Sequence, residues 1–302
     1  MTLTVWSSSR YTFPLPVGHR FPVAKYALLR ERVIAAGIVP TDHVLDPARA
    51  TRDELLLVHT AAYVDRFTAG TLDAAEVRRL GFPWSPELVE RSLRAVGGTI
   101  AASEHAMAHG VAMNLAGGTH HAFADHGEGF CVFNDIAIAV RRLQRAGRIR
   151  RALVVDLDVH QGNGTHAIFA DDPDVYTFSM HGGRNYPFHK VAGSRDVELP
   201  DGTGDDEYLT LLRDALPTAM AESGPDIVFY IAGADPHTGD ALGRLQLGFD
   251  GLARRDALVL EGCREVGLPV VITIGGGYGK DIRDTVEVHV NTVRVASGFA
   301  LG

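Results

Sequence analysis

Asp158 and His160 stand two residues apart behind a β-branched run, and on an extended segment that spacing sends both side chains off one face, where they can grip a single ion. Asp235, which follows the apolar run Ile227 to Ala232, offers a third ligand. Three protein ligands with one position left for water make a catalytic metal site rather than a structural one. A lone Asp-x-His is more often a solvated aspartate beside a backbone-bonded imidazole. The metal reading rests on Asp235 and the histidine pair His120-His121 joining it. Imidazole titrates near neutral pH, so two such rings beside a metal suit taking a proton and returning one. Asp156, one alternation before Asp158, and Asn163 are candidate partners to fix their tautomers. Tyr278 follows Gly275 to Gly277, and its phenol suits hydrogen bonding to a developing oxyanion. No Lys-Ser/Thr follows those glycines and the form G-x-G-x-x-G is absent there, which disfavours a phosphate cradle.

The elements that must position these groups follow from periodicity. Short apolar runs at Val111 to Leu115, Ala152 to Leu157, Val175 to Ser179, Ile227 to Ala232 and Val270 to Ile274 suit the interior of a parallel sheet. Helical periodicity at Asp135 to Ala146, Asp205 to Glu222 and Phe249 to Val266 alternates with them, the signature of βαβ crossovers. Open parallel sheets collect function at their carboxyl strand ends, and the His pair, Asp158/His160, Asp235 and Tyr278 each follow one of these runs. Thr51 to Glu54 forms a capping box and Ser85-Pro86-Glu87 a capped proline start, so the stretch up to about Gly110 is expected to be mainly helical. With no linker or change of composition, residues 1–302 are expected to form one domain, a three-layer α/β/α unit around a central, mostly parallel sheet.

Composition narrows the function classes. There are 29 Lys+Arg against 37 Asp+Glu, a net charge of −8, and no basic cluster, which argues against nucleic-acid binding and against electrostatic docking to anionic membranes. Two cysteines, Cys131 and Cys263, are too few for a disulfide framework. They are expected to be inert buried thiols in a reducing compartment. No basic-then-apolar leader and no long apolar run is present, so a cytoplasmic location without a membrane anchor is expected.

Taken together the motifs resemble the histone deacetylase family of zinc amidohydrolases, which share a fold with arginase. The likeness runs through Gly18 to Pro22, Val58-His59-Thr60 with Tyr63, Gly117 to His121, Gly129-Phe130-Cys131 with Asn134-Asp135, Asp156 to Gly164, Ala232 to Asp235 with Gly239-Asp240, and Gly275 to Tyr278. The segments Asp158 to Gly164 and Leu199 to Tyr208 look most like the class IV branch and its bacterial relatives. The resemblance implies zinc at Asp158, His160 and Asp235, with Fe²⁺ as the alternative ion. It implies catalytic roles for His120, His121 and Tyr278, outer partners at Asp156 and Asn163, and an acyl channel past Gly129, Phe130 and Gly276. It further implies a potassium ion near Asp156, Asp158, His160, Ser179 and Met180. Position 163 is Asn where class I members carry Asp, so it can orient His121 but supplies no charge, which leaves open which histidine is base and which is acid. A second metal would want a carboxylate two residues after His160, where the chain has Gly162.

The expected reaction is hydrolysis of an acyl–lysine side-chain amide. A small acylated amine such as an acetylpolyamine is the alternative substrate, and a non-catalytic acyl-group binding protein is the alternative of another class.

Overall fold

Runs that are apolar on both faces must be covered on both faces, and the computed structural model, which describes residues 2–300, shows this layering. The strands are β1 (Val5–Trp6), β2 (Val44–Leu45), β3 (Val111–Asn114), β4 (Ala152–Asp156), β5 (Val175–Gly182), β6 (Arg195–Leu199), β7 (Ile227–Ile231) and β8 (Val270–Thr273). Among the described residues they form one sheet in the order β2-β1-β3-β8-β7-β4-β5-β6. Every neighbouring pair is parallel. Strands β3, β4, β7 and β8 are buried at every residue, as their unbroken apolar runs require.

The helices are α1 (Lys25–Ala35), α2 (Arg52–Leu55), α3 (Ala61–Ala69), α4 (Ala74–Leu80), α5 (Pro86–His109), α6 (Asp135–Arg145), α7 (Asn163–Phe169), α8 (Asp205–Ser223), α9 (Phe249–Glu265) and α10 (Ile282–Ala300). One set, α1, α10, α9 and α8, packs side by side, and α5, α6 and α7 form the other. The Thr51 capping box starts α2, and Ser85 caps α5 with Pro86 in its first turn, as expected.

Three strands are additions to the sequence reading. β1 and β2 interrupt the largely helical N-terminal stretch, and two residues are too few to carry a periodic signal. β6 is the edge strand Arg195-Asp196-Val197-Glu198-Leu199, whose exposed charges break its apolar pattern while discouraging a further strand from pairing there.

Candidate active site

The ends of β3, β8, β7 and β4 lie consecutively in the sheet and deliver all the chemistry-bearing side chains to one crevice. Behind β3 the chain turns through Gly117 and Gly118, both left-handed with φ of 79° and 68°. The Asp135 carboxylate at the start of α6 accepts hydrogen bonds from the N–H of Gly118 at 3.2 Å and of Thr119 at 2.8 Å. Asn134 caps α6 through Ala137 and donates its amide to the Ala122 carbonyl at 3.1 Å. The segment bearing His120 and His121 is thus tied down before and after the pair. Their ring centroids are 4.1 Å apart. His120 Nδ1 lies 2.6 Å from Asp156 Oδ2, and His121 Nδ1 lies 2.7 Å from Asn163 Oδ1, so both outer partners stand where the spacing put them.

Asp158, His160 and Asp235 are buried, and one ligand atom from each lies within 4.8 Å of the others. His160 Nδ1 is 3.0 Å from Asp158 Oδ1 and 3.2 Å from Asp235 Oδ2. Asp235 Oδ1 accepts from the Val159 N–H at 2.9 Å, whereas the buried Oδ2 has the His160 ring beside it but no well-aligned hydrogen-bond donor. A buried carboxylate oxygen left unpaired is costly unless a cation takes it up. Two carboxylates and one imidazole are a donor set that suits a divalent ion such as zinc, so the residues fit the group. The two ligand-bearing loops are clamped from below by the fully buried Arg255, which donates to the Gly233 carbonyl at 2.6 Å and the Leu157 carbonyl at 3.3 Å. Asp256 balances its charge at 2.8 Å. The strand register sets Asp156 beside Ser179 on β5, and both side chains are buried.

Protonation follows from these neighbours. Burial works against a charged His120, but the carboxylates of Asp156 and Asp158 outweigh it and hold the ring up at about 9. His121 meets burial and the charges of His120 and His160, which outweigh the Asn163 amide and the more distant Asp158 carboxylate and hold it well below the usual histidine range. Burial likewise opposes charge on His160, yet Asp158 and Asp235 raise it to about 10. Burial and the adjacent Asp158 push the Asp235 carboxyl up to about 7, although the neighbouring His160 works the other way.

Tyr278 is placed by Asp240, whose Oδ2 accepts the Tyr278 N–H at 2.6 Å. Its ring centroid is 5.9 Å from Phe130 and 6.2 Å from His160. Burial pushes its phenol well above the usual value, so it is a donor throughout the working pH range. Phe130 adopts a φ of 66°, the one left-handed non-glycine among the described residues, which turns its ring to the cavity mouth beside Gly129. The cavity, bounded by His120, His121, Asp158, His160, Gly276 and Tyr278 among others, has a volume of about 30 Å³, room for one water. Cys131 also borders it, but burial raises its thiol far above reactivity, and the two cysteines are free and buried.

Some residues at the site carried no sequence signal. Lys25, on α1, is buried with its ammonium 3.3 Å from the Gly275 carbonyl and 5.7 Å from the Tyr278 ring. Glu128 and Tyr186 meet beside His121. Lys25 and Tyr186 come from segments far along the chain from the groups they touch, whereas Glu128 stands next to the Gly129-Phe130-Cys131 motif.

An all-parallel eight-stranded sheet with these four strand ends around one buried ligand group is an α/β architecture of the arginase/deacetylase type. The comparisons agree: a histone deacetylase domain model matches residues 19–293. An uncharacterized protein of Picosynechococcus sp. is 48% identical over 279 residues, covering 92% of this chain and 93% of the relative. Histone deacetylase 2 of Arabidopsis thaliana is 35% identical over 283 residues, covering 89% and 73%. The crystal structure of an HDAC homolog complexed with SAHA matches with a TM-score of 0.84 at 25% identity, over 99% of this chain and 84% of that one. The chain belongs to the histone deacetylase family, hydrolases that act on amides.

Proposed function

We propose that this chain removes an acyl group from a lysine side chain, using Zn²⁺ held by Asp158, His160 and Asp235 and acting as one catalytic unit over residues 1–302. The observation that carries the reading is the meeting of Asp158, His160, the histidine pair and the Tyr278 ring at one small cavity, with Asp235 Oδ2 behind them 3.2 Å from His160 Nδ1. When bound, the metal supplies a Lewis acid that polarises the acyl carbonyl and acidifies water. His121 starts neutral with Nδ1 facing Asn163 Oδ1, so Nε2 is the atom that takes the proton of the attacking water. His120, kept charged by Asp156, returns a proton to the leaving amine, which must depart protonated. Tyr278 donates its O–H to the acyl oxygen as charge gathers there, a contribution of roughly 3 kcal/mol to the barrier. Gly129 and Phe130 line the acyl path, and Asp156 and Ser179 would help hold a potassium ion, which would supply positive charge behind the ligand-bearing loop. Two free, buried thiols and no helix among the described residues long and apolar enough to cross a membrane support a cytoplasmic setting.

The test is amine release by the zinc-reconstituted protein from lysine peptides carrying acetyl to long fatty-acyl groups, alongside acetylpolyamines, with and without a chelator. Chelator-sensitive turnover of the peptides supports the reading. Turnover of the polyamines alone moves the substrate to a small acylated amine, and silence on every substrate leaves an acyl-binding role.

A further inference from the structure

Glu128 lies outside the ligand group and the histidine pair, yet it closes a chain of short hydrogen bonds that ends on His121. Its Oε1 accepts from Asn163 Nδ2 at 2.7 Å and from the Tyr186 hydroxyl at 2.7 Å. Asn163 Oδ1 in turn lies 2.7 Å from His121 Nδ1. The Tyr186 ring packs edge-on against His121 with centroids 4.9 Å apart, so all four side chains form one cluster. The Glu128 side chain is only 14% exposed, and His126 Nε2 stands 3.8 Å from its other oxygen. Burial pushes its carboxyl up, but the donors of His126, Asn163 and Tyr186 outweigh that and keep it below the ordinary glutamate value.

An ionised carboxylate accepts hydrogen bonds and donates none. Facing it, the Asn163 amide can present only its NH₂, which leaves its carbonyl turned to His121. The carbonyl in turn needs a donor, so the neutral His121 ring must carry its single hydrogen on Nδ1, with Nε2 bare. The opposite amide orientation would set the NH₂ group against Nδ1, drive the hydrogen to Nε2 and leave no atom able to take a proton from water.

We infer that Glu128 is a positioning residue that acts through the side-chain amide of Asn163 to fix which ring nitrogen of His121 carries the proton. This rests on the reading of His121 as the base, and it answers the substitution of Asn for Asp at position 163. An aspartate there would accept from Nδ1 in either orientation; an asparagine has to be told which way to face, and Glu128 tells it.

The zinc-loaded protein and three variants test this. Glu128→Met fills the space without an acceptor and should lower kcat at least about ten-fold at unchanged KM and zinc content. Glu128→Gln, whose carbonyl can still accept from Asn163 and Tyr186, should stay within about three-fold of the starting kcat. Glu128→Met combined with Asn163→Asp should recover the activity, since a carboxylate at 163 cannot be misoriented. In parallel, long-range ¹⁵N–¹H correlation of the labelled His121 ring should show the hydrogen on Nδ1 in the unaltered protein and a mixture or a switch to Nε2 in Glu128→Met. An unchanged kcat and ring pattern in Glu128→Met overturns the inference. So does a loss that Asn163→Asp fails to recover, or a Glu128→Gln loss as deep as that of the methionine variant. If no acyl-lysine substrate is turned over at all, the deacylase reading fails, while the nitrogen pattern still decides the role of Glu128.

Discussion

Gly276→Ala isolates the geometry of the ligand group from everything else in the fold. Gly276 does not have a left-handed φ, so an alanine costs nothing in backbone strain there. The added Cβ, however, would stand 1.9 Å from Asp235 Oδ2 and 2.7 Å from Asp158 Oδ2. Ordinary contact begins near 3.4 Å, so the nearer oxygen must withdraw by about 1.5 Å. It cannot do so freely, because Asp235 Oδ1 is held by the Val159 N–H and Asp158 Oδ2 by the Gly276 N–H at 2.6 Å. Metal ligands tolerate errors of only about 0.2 Å, and a misplacement of roughly 1 Å at a reacting centre costs about 100-fold. Zinc affinity, read by competition with a chromophoric chelator, should therefore fall at least about 100-fold, with kcat/KM at limiting zinc falling in step. The crowding should cost about 1–3 kcal/mol of stability, within what a chain of this size withstands, and near-native circular dichroism would show that. Gly298→Ala is the control: nothing lies within 4 Å of its added Cβ, and in helix α10 the change should be neutral or stabilise by up to about 1 kcal/mol. A folded Gly276→Ala protein that binds zinc as tightly as the original would refute the assignment of Asp158 and Asp235 as joint ligands.

Tyr278→Phe removes a single hydroxyl and keeps the ring at the cavity wall, so melting temperature and zinc content should hold while kcat falls about 100-fold or more; turnover within two-fold of the original would sink the oxyanion role. The pH profile of kcat should be bell-shaped. The base must be unprotonated, so the rate falls only as pH drops through the depressed value of His121, and the acid must be protonated, so it falls again as pH rises past about 9, where His120 gives up its proton. Asp156→Asn removes the charge that holds His120 up and should bring the alkaline fall to lower pH; a profile that Asp156→Asn leaves in place would assign the alkaline limb to another group.

Much of this protein was legible in the chain itself because the signals are local. Short, largely apolar runs marked strands β3, β4, β5, β7 and β8 to within a few residues, since a strand buried on both faces has few polar positions to interrupt it. The Asp-x-His spacing and the glycine-bordered motifs singled out residues that the structure brings together at one crevice. Short or charged strands such as β1, β2 and β6 left no such trace, for two residues carry no period and an edge strand is selected for charge.

What the sequence by itself determined is therefore which residue types could act and on what kind of element each would stand. The tertiary structure decided which of them meet. The order β3-β8-β7-β4, which no local pattern encodes, is what brings His121, Gly276, Asp235 and Asp158 to one crevice, with Gly276 bonded to Asp158 across 118 residues of chain. It also decided the charges, because a histidine's proton depends on burial and on the partner it faces: the same residue type is raised at position 120 by a carboxylate and depressed at 121 beside an amide. Glu128 shows the limit most plainly. As a lone acid in a glycine-rich loop it carried no signal, and only the approach of Asn163 and Tyr186 gives it something to hold.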